Sequence, residues 1–364
     1  GEGLAGNLVK RARIDEELVA QQRLQLAAVH LRHDDLVVAL EQRAEVLREG
    51  RDVADVDVAD VEAAAARDAK RALFLETLQR IGKIGLSALG ELPIEPSPPR
   101  YRIRNRFHLD GRGPTLAIGQ FAARSHRVEP VVACRALSER TAAVLPLLRD
   151  VLAATGVAPT ELATLEDRAG EALLARALLP NGPKRQAKPD AEAVAAALSP
   201  LLAGIKVVDS EGRLLAQAGE SRLTISAGGR DFSVSVDTFF QGNRHLADRL
   251  LADVGQAAGG PPAEALDAFG GVGFFAAALL GQGHDVVSVE GSASAVRDAA
   301  KTRLGWSDAE RWKVVPSSVA GFLSSSTARF DLVVAETSKL SEKMIRALLC
   351  ILQKSAPILS SGDA

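Results

Sequence analysis

Residues 265–291 read ALDAFGGVGFFAAALLGQGHDVVSVEG, and the order of apolar runs and glycines in them decides the fold. Leu266 opens a short apolar strand that carries Asp267 near its end. Gly270, Gly271 and Gly273 then make a turn free of bulky side chains. Residues 274–280 are almost wholly apolar, which predicts a helix buried against a sheet rather than one facing water. Gly281 and Gly283 stop it, residues 286–289 form the next strand, and Glu290 closes that strand. The two acids stand 290 − 267 = 23 residues apart. Strand, glycine turn, helix and strand make a unit of a doubly wound parallel sheet, and the spacing suits a nucleotide. Glycines let a ligand approach the backbone, the helix N-terminus offers free N–H groups, and an acid at the second strand tip takes two ribose hydroxyls.

Two ligands fit that geometry. Gly271-x-Gly273-x-x-Ala276 matches the dinucleotide pattern, a weak signal alone. Asp267, four residues before Gly271, stands where a NAD site usually has plain strand. An acid there suits S-adenosylmethionine, whose amino group is cationic. The methyl donor is therefore the favoured ligand, with an NAD-dependent oxidoreductase or a ligand-free tight turn as the alternatives.

The 364 residues are enough for two or three domains with a sizeable core. Hydrophobic content of 47% and charged content of 25% are those of a globular protein, not of a disordered or fibrous one. No apolar run is long enough to span a membrane and no signal-peptide pattern opens the chain, so no membrane partner is expected. Cys134 and Cys350 are the only cysteines. They cannot build a disulfide framework, and the expected compartment is the cytoplasm. A net charge of −2 gives no global nucleic-acid signal, so any such signal must be local.

That local signal lies in residues 101–109, YRIRNRFHL. Period-two alternation puts Arg102, Arg104, Arg106 and His108 on one face of a half-buried strand, with Tyr101, Ile103, Phe107 and Leu109 on the other. Residues 100–127 hold seven arginines and one acid, Asp110. Guanidinium forks bind phosphate bidentately, so RNA or DNA contact is the functional reading and a solvated strand face the bland one.

Elsewhere, residues 7–49 lack glycine and proline and predict a long helix or helical hairpin. Residues 51–66 are a low-complexity acidic and valine repeat that is not expected to pack. From Arg67 an amphipathic helix runs to about Ile81, and Pro93, Pro96, Pro98 and Pro99 make a stiff linker. Residues 128–133 look like a strand, and Cys134 after them is expected as a small core residue. Residues 138–154 read as helix. Residues 160–236 alternate short strands and helices and end in a hairpin turning at Gly228 and Gly229. Asp237 or Thr238 is expected to cap a helix that starts around Gln241 and Asn243. Past the glycine turn come a helix at 293–304, strands at 313–316 and 330–335, a helix at 342–352 and a fifth strand from Ile358.

From about residue 67 to residue 335 the chain resembles the S-adenosylmethionine-dependent RNA (uracil-5-)-methyltransferases, which make 5-methyluridine in ribosomal and transfer RNA. The pieces that carry the resemblance are RDAKRALFLETLQRIG, YRIRNRF, SHRVEPVVAC, FFQGN, LDAFGGVGFF and VVSVEG, in matching order and spacing. The resemblance implies three regions. Residues 1–66 form an atypical helical N-terminus, 67–236 a central RNA-facing α/β domain, and 237–364 an incomplete Rossmann-like class I methyltransferase domain. It implies S-adenosylmethionine as donor, with Gln241, Phe269 and Glu290 in contact with it. Ser318 falls at another donor position, and Glu336 keeps a carboxylate in the motif after the fourth strand. Arg102, Arg104 and Arg106 fall in the RNA-facing domain.

The ends depart from the family. Residues 1–5, GEGLA, look like the start of its small β-barrel, but the residues after Ala5 do not continue it. Many members hold an iron–sulfur cluster with four cysteines, of which Cys134 alone is matched. One thiolate cannot hold such a cluster, so none is expected, and Cys134 reads as an orphan in a core. The family activates uracil C5 by adding a cysteine thiolate to C6, and a general base then removes the C5 proton. In Ser361-Gly362-Asp363 a glycine, Gly362, stands in the nucleophile's place. Cys350 lies 362 − 350 = 12 residues earlier, inside an expected helix, and the family's general-base glutamate has no match. Glu336-Thr337-Ser338-Lys339 replaces a motif stiffened by two prolines. No catalytic residue is identified. The expectation is an RNA methyltransferase of the uracil-C5 type with weak turnover, or a non-catalytic RNA-binding relic.

Overall fold

The computed structural model describes residues 58–80 and 94–335, apart from 123, 132, 181–183 and 261, together with Met344, Leu348 and Ile358–Ser360. The expected helices within 7–49, Pro93, Glu336, Cys350 and Gly362 lie outside the described residues, as does most of the helix at 342–352. The chain divides into two compact units, one of residues 1–96, 335–342 and 359–364, the other of residues 97–334 and 343–358.

In the first unit the described helix is α1, Val58–Arg80. It starts 67 − 58 = 9 residues earlier than expected, inside the low-complexity repeat. The added stretch is VADVEAAAA. Its alanines are the strongest helix formers, and this local propensity outweighs the repetitive look of the sequence.

The described strands form two main sheets and a hairpin. The first has seven strands: β1 (Arg104–Asp110), β2 (Ala117–Phe121), β3 (Val128–Pro130), β4 (Glu161–Glu166), β5 (Leu173–Leu178), β6 (Gly204–Val208) and β7 (Leu214–Gly219). Their order is β3-β2-β1-β4-β5-β6-β7. Only β5 and β6 are parallel, because the helix α3 (Lys184–Leu198) crosses between them. Helix α2 (Glu139–Thr155) starts at Ser138, whose hydroxyl accepts from the Thr141 N–H, and stops at Gly156 with φ 69°. Leu148 and Leu152 from α2 and Val194 and Leu198 from α3 share one core with Phe107, Leu162, Ala177 and Val207 of the sheet. One sheet face is thus covered by helices. The opposite face carries charged side chains.

The second sheet has the order β12-β11-β10-β13-β14, from β10 (Glu264–Ala268), β11 (Asp285–Glu290), β12 (Trp312–Pro316), β13 (Leu332–Ala335) and β14 (Ile358–Ser360). β10, β11 and β12 run parallel. Helices α5 (Phe274–Gly281), α6 (Ala293–Arg303) and α7 (Val319–Ser325) alternate with these strands. This is a Rossmann-like arrangement. α5 is buried along Phe274, Ala276, Ala277, Leu279 and Leu280, as its all-apolar sequence predicts. Between the sheets in sequence lies the hairpin β8 (Leu223–Ala227) and β9 (Arg230–Val234). It turns at Gly228 (φ 57°) and Gly229 (φ 73°), the expected pair.

Two expectations are corrected. Cys134 is exposed, not an orphan in a core. β3 ends at Pro130 instead of running to residue 133, so Cys134 falls in the irregular stretch before α2. Nor does a helix start around Gln241: residues 235–246 are irregular, and α4 spans Ala247–Ala257. Asp237 is taken up by ion pairs with Arg176 and Lys206 instead of capping a helix.

Candidate functional site

The glycine turn joins β10 to α5. Each glycine there has its own reason. A Cβ on Gly270 would come within 2.5 Å of the Ser288 Cβ, so the turn lies directly against β11. Gly273, the N-cap of α5, has φ 93°, and a Cβ there would overlap the Trp312 ring. Gly271, at φ 55°, faces open space. Phe269 also holds a positive φ, 74°. Such a backbone is costly for a side chain with a Cβ and marks a position fixed by its surroundings.

The two acids converge on this turn. Glu290 accepts from the Gly271 N–H at 2.9 Å and from the Ser292 N–H at 2.6 Å. A carboxylate has about four acceptor sites, so Glu290 retains capacity for ligand hydroxyls. Asp267 is buried. Its Oδ2 accepts from the Ser288 hydroxyl at 3.0 Å, and that hydroxyl in turn accepts from the Trp312 indole N–H at 2.9 Å. Its Oδ1 has no partner of full hydrogen-bond geometry, the Ala276 N–H acting on the carboxylate only as a weaker contact. Burial pushes the Asp267 carboxyl up to about 7, with nearby Glu290 adding to the rise, while Ser288 and the Ala276 N–H oppose it. A buried acid with an open oxygen beside a helix N-terminus suits a cationic group.

The shift has a sign for stability. The folded-state value lies above the ordinary 3.8, so the folded chain holds this proton more tightly than the unfolded one. The contribution is full below about pH 4 and lost as pH rises through 7. Asp267→Asn is expected to make the ligand-free protein more stable than wild type at pH 8, with the difference vanishing near pH 4. Urea titrations at the two pH values measure this, and an equal gain at both would remove the buried charge as its cause.

The other predicted donor positions border the turn. Ser318 caps α7, and its Cα lies 3.5 Å from where a Cβ on Gly291 would sit. The Ser317 N–H donates to the Glu290 carbonyl at 3.0 Å. Gln241 follows Phe240, whose buried ring meets Phe274, the first residue of α5, at 5.4 Å between centroids. Thus Asp267, Phe269, Gly270, Gly271, Gly273 and Glu290 form one cluster. Ser318 borders Gly291, next to Glu290, and Gln241 directly follows Phe240, which packs on the first residue of α5.

The sheet face opposite the helices is cationic, and segment 235–246 lies over part of it. Arg106, Ala163, Arg176 and Lys206 fall in one register row across β1, β4, β5 and β6. Glu161 pairs with Arg176 at 2.7 Å and with Arg106 at 3.5 Å, and Asp237 pairs with Lys206 at 3.0 Å and with Arg176 at 3.4 Å. Arg104 donates to the Val236 carbonyl and lies 5.7 Å from the centroid of the exposed Phe239 ring. Four cations thus face two carboxylates, an excess of 4 − 2 = 2 positive charges. Burial and the neighbouring Arg106 and Arg176 lower Arg104 to about 10, against the pull of Asp237. A cluster with more cations than carboxylates suits an anion. Arg102 stands ahead of this row. It bridges Leu137 and Asn243 through its backbone, and its guanidinium lies 5.9 Å from the Tyr101 ring.

Segment 235–246 connects the two places. Ser235 is held by buried Asp298, Asp237 by Lys206 and Arg176, Phe240 by Phe274, and Arg244 by buried Glu166. Sequence reasoning missed Arg176, Lys206, Glu161 and Asp237, because the row exists only once distant strands pair. The available signal was a single cation inside each of two apolar runs, LLARALL and GIKVV.

The chain is 31% identical over 243 residues to the 23S rRNA (uracil(1939)-C(5))-methyltransferase RlmD of Dichelobacter nodosus (strain VCS1703A), a match covering 64% of this chain and 53% of that protein. The chain resembles the RNA (uracil-5-)-methyltransferases. It spans about half the length of the curated relative it matches. The methyltransferase resemblance extends to the fold. The tRNA (uracil-54, C5)-methyltransferase of Pyrococcus abyssi, solved in complex with S-adenosyl-L-homocysteine, superimposes with a TM-score of 0.56 at 16% identity, over 76% of this chain and 69% of that one. No family model matches the chain. Among the described residues, no helix is long and apolar enough to cross a membrane, and no group of three or more His, Cys, Asp or Glu could hold a metal ion.

Proposed function

We propose that this chain is an S-adenosylmethionine-dependent RNA methyltransferase of the uracil-C5 type, acting on ribosomal or transfer RNA. The observation that carries the reading is segment 235–246. Its Asp237 is tied to the cationic sheet face and its Phe240 packs on Phe274, the first residue of α5 after the glycine turn where the two acids converge. A polyanionic substrate on that face lies next to a donor bound at the turn.

The donor fits the residues present. Asp267 offers its ammonium group a buried oxygen that accepts no full hydrogen bond, and Glu290 offers acceptors to its ribose. Gly271 leaves the backbone approachable and Gly270 lets the turn pack against β11, and Phe269, Gly273, Ser318 and Gln241 complete the donor site in this reading. When bound, S-adenosylmethionine supplies an electrophilic methyl group. In this reading residues 67–236 face RNA and residues 237–364 hold the donor. Arg104 and Arg106 bind phosphate, and Arg102 orders the approach to β1. A cytoplasmic location belongs to the same reading. Glu336 and Gly362 lie outside the described residues. Gly362 in the thiolate's position still implies slow turnover.

The test has two parts. Transfer of tritium from labelled S-adenosylmethionine to unmodified ribosomal and transfer RNA reads the chemistry. Weak incorporation, confined to uridine C5, is expected, and incorporation at any other base would overturn the site assignment. RNA binding at several salt concentrations reads the face. Changing Arg102, Arg104 and Arg106 together to Ala should reduce the slope of log affinity against log salt by roughly 2, since each lost phosphate contact removes about 0.7–0.9. An unchanged slope would leave the strand as a solvated face. RNA binding with no transfer at all would favour the non-catalytic reading, for which Gly362 already argues.

A further inference from the structure

At the end of β2, beside β1 on the cationic face, Phe121 is 43% exposed. It is one of few large apolar side chains on the described surface, and it is not alone. The His108 ring stacks on it at 3.7 Å between centroids with 14° between planes, and His126 meets it edge-on at 5.5 Å and 86°. His108 thus covers one face of Phe121, His126 stands at right angles to the ring, and 43% of the residue remains exposed.

Its setting is polar and cationic. His108 lies two residues from Arg106, hence on the same sheet face. The loop after Phe121 carries exposed Arg124, at φ 56°, and exposed Arg127, which pairs with Glu129 at the start of β3. That loop is held by short-range bonds. The Ser125 N–H donates to Ala122 O at 3.0 Å, the Arg127 N–H to the Ser125 hydroxyl at 2.9 Å, and the Ala122 N–H to Arg127 O at 2.9 Å. Gln120 ties the edge to β1 by donating to the Arg106 carbonyl at 2.7 Å. A non-glycine residue kept in the left-handed region, in a loop so tightly bonded, indicates a fixed tip rather than a slack one.

We propose that Phe121, backed by His108 and His126, is a stacking platform for an unpaired nucleobase of single-stranded RNA. Arg106, Arg124 and Arg127 take the phosphates on either side. This inference rests on the RNA reading above and adds to it a second contact, outside the donor site. The occupant is chosen by charge and shape together. A flat apolar ring among guanidinium groups matches a base flanked by phosphates, since every base has a π-face and every linkage a negative charge. An acidic protein segment would use the arginines but gain nothing from an exposed aromatic ring.

The experiment uses the full chain and a uridine 12-mer carrying a single 2-aminopurine, whose fluorescence is quenched by stacking. Phe121→Ala is expected to weaken binding roughly 5- to 150-fold, the range for one lost base–aromatic stack. It should also abolish the quench at one position of the label while leaving the salt slope unchanged. Phe121→Tyr should retain both affinity and quench. Arg106→Ala should do the reverse of Phe121→Ala, lowering the salt slope by about 0.7 and keeping the quench. Wild-type affinity and quench in Phe121→Ala would overturn the platform while leaving the RNA reading intact. Wild-type protein that shows no salt-dependent binding of the 12-mer would overturn both. Displacement by poly-glutamate as effective as displacement by unlabelled 12-mer would overturn the choice of occupant.

Discussion

Gly273→Ala is expected to cost several kcal/mol of stability, whereas Gly271→Ala, two residues away, should cost about 1 kcal/mol. Both positions hold positive φ, 93° and 55°, and a non-glycine residue there carries a penalty of roughly 1–2 kcal/mol. The difference lies in what surrounds them. A Cβ on Gly273 would run into the six-membered ring of Trp312, while nothing lies within 4 Å of one on Gly271. Trp312 is fully buried, stacks on Trp306 at 4.9 Å and donates to Ser288. It has no free space to yield, and overpacking adds roughly 1–3 kcal/mol. The consequence reaches the site, because moving Trp312 releases Ser288 and with it the Oδ2 of Asp267. Urea denaturation with fluorescence of the two tryptophans gives both numbers. Equal costs for the two variants would show that the close approach to Trp312 is wrong.

A second large effect is expected at Glu166, far in sequence from the turn. Its side chain is buried and accepts from Ser138, Thr141 and Arg244. Arg244 belongs to the segment that carries Gln241. Glu166→Ala leaves the Arg244 guanidinium, itself 14% exposed, without its carboxylate, and breaking one side of a buried pair typically costs about 3–5 kcal/mol. The second variant, Glu166→Ala with Arg244→Leu, should recover part of that loss, because the orphaned charge is gone. Stabilities from urea midpoints form the cycle. A double variant as unstable as the sum of the two single ones would mean that the pair does not act as a unit.

The glycine turn was legible because its signals are local. Asp267, Gly270, Gly271, Gly273 and Glu290 lie within one strand-turn-helix-strand unit, and each owes its place to backbone geometry that neighbouring residues dictate. The alternation of Arg104, Arg106 and His108 with buried Asn105, Phe107 and Leu109 was legible for the same reason. What the sequence hid is non-local. Arg176 and Lys206 join Arg106 only through the pairing of β1, β4, β5 and β6. Asp237 reads as a helix cap because Asp often caps helices, yet Lys206 and Arg176 on the sheet claim it first. Cys134 reads as core because cysteine usually is. Its neighbours decide otherwise, since β3 stops four residues earlier, at Pro130. In α1 the low-complexity repeat has enough alanine to be helical from Val58.

The ligand of the glycine turn decides the function. Titration calorimetry of the full chain with S-adenosylhomocysteine and, separately, with NADH addresses that directly. Saturable binding of S-adenosylhomocysteine is predicted, lost in Glu290→Ala and weakened in Asp267→Asn, with no heat from NADH. Binding of NADH alone, or S-adenosylhomocysteine binding indifferent to both substitutions, would contradict the assignment of the site.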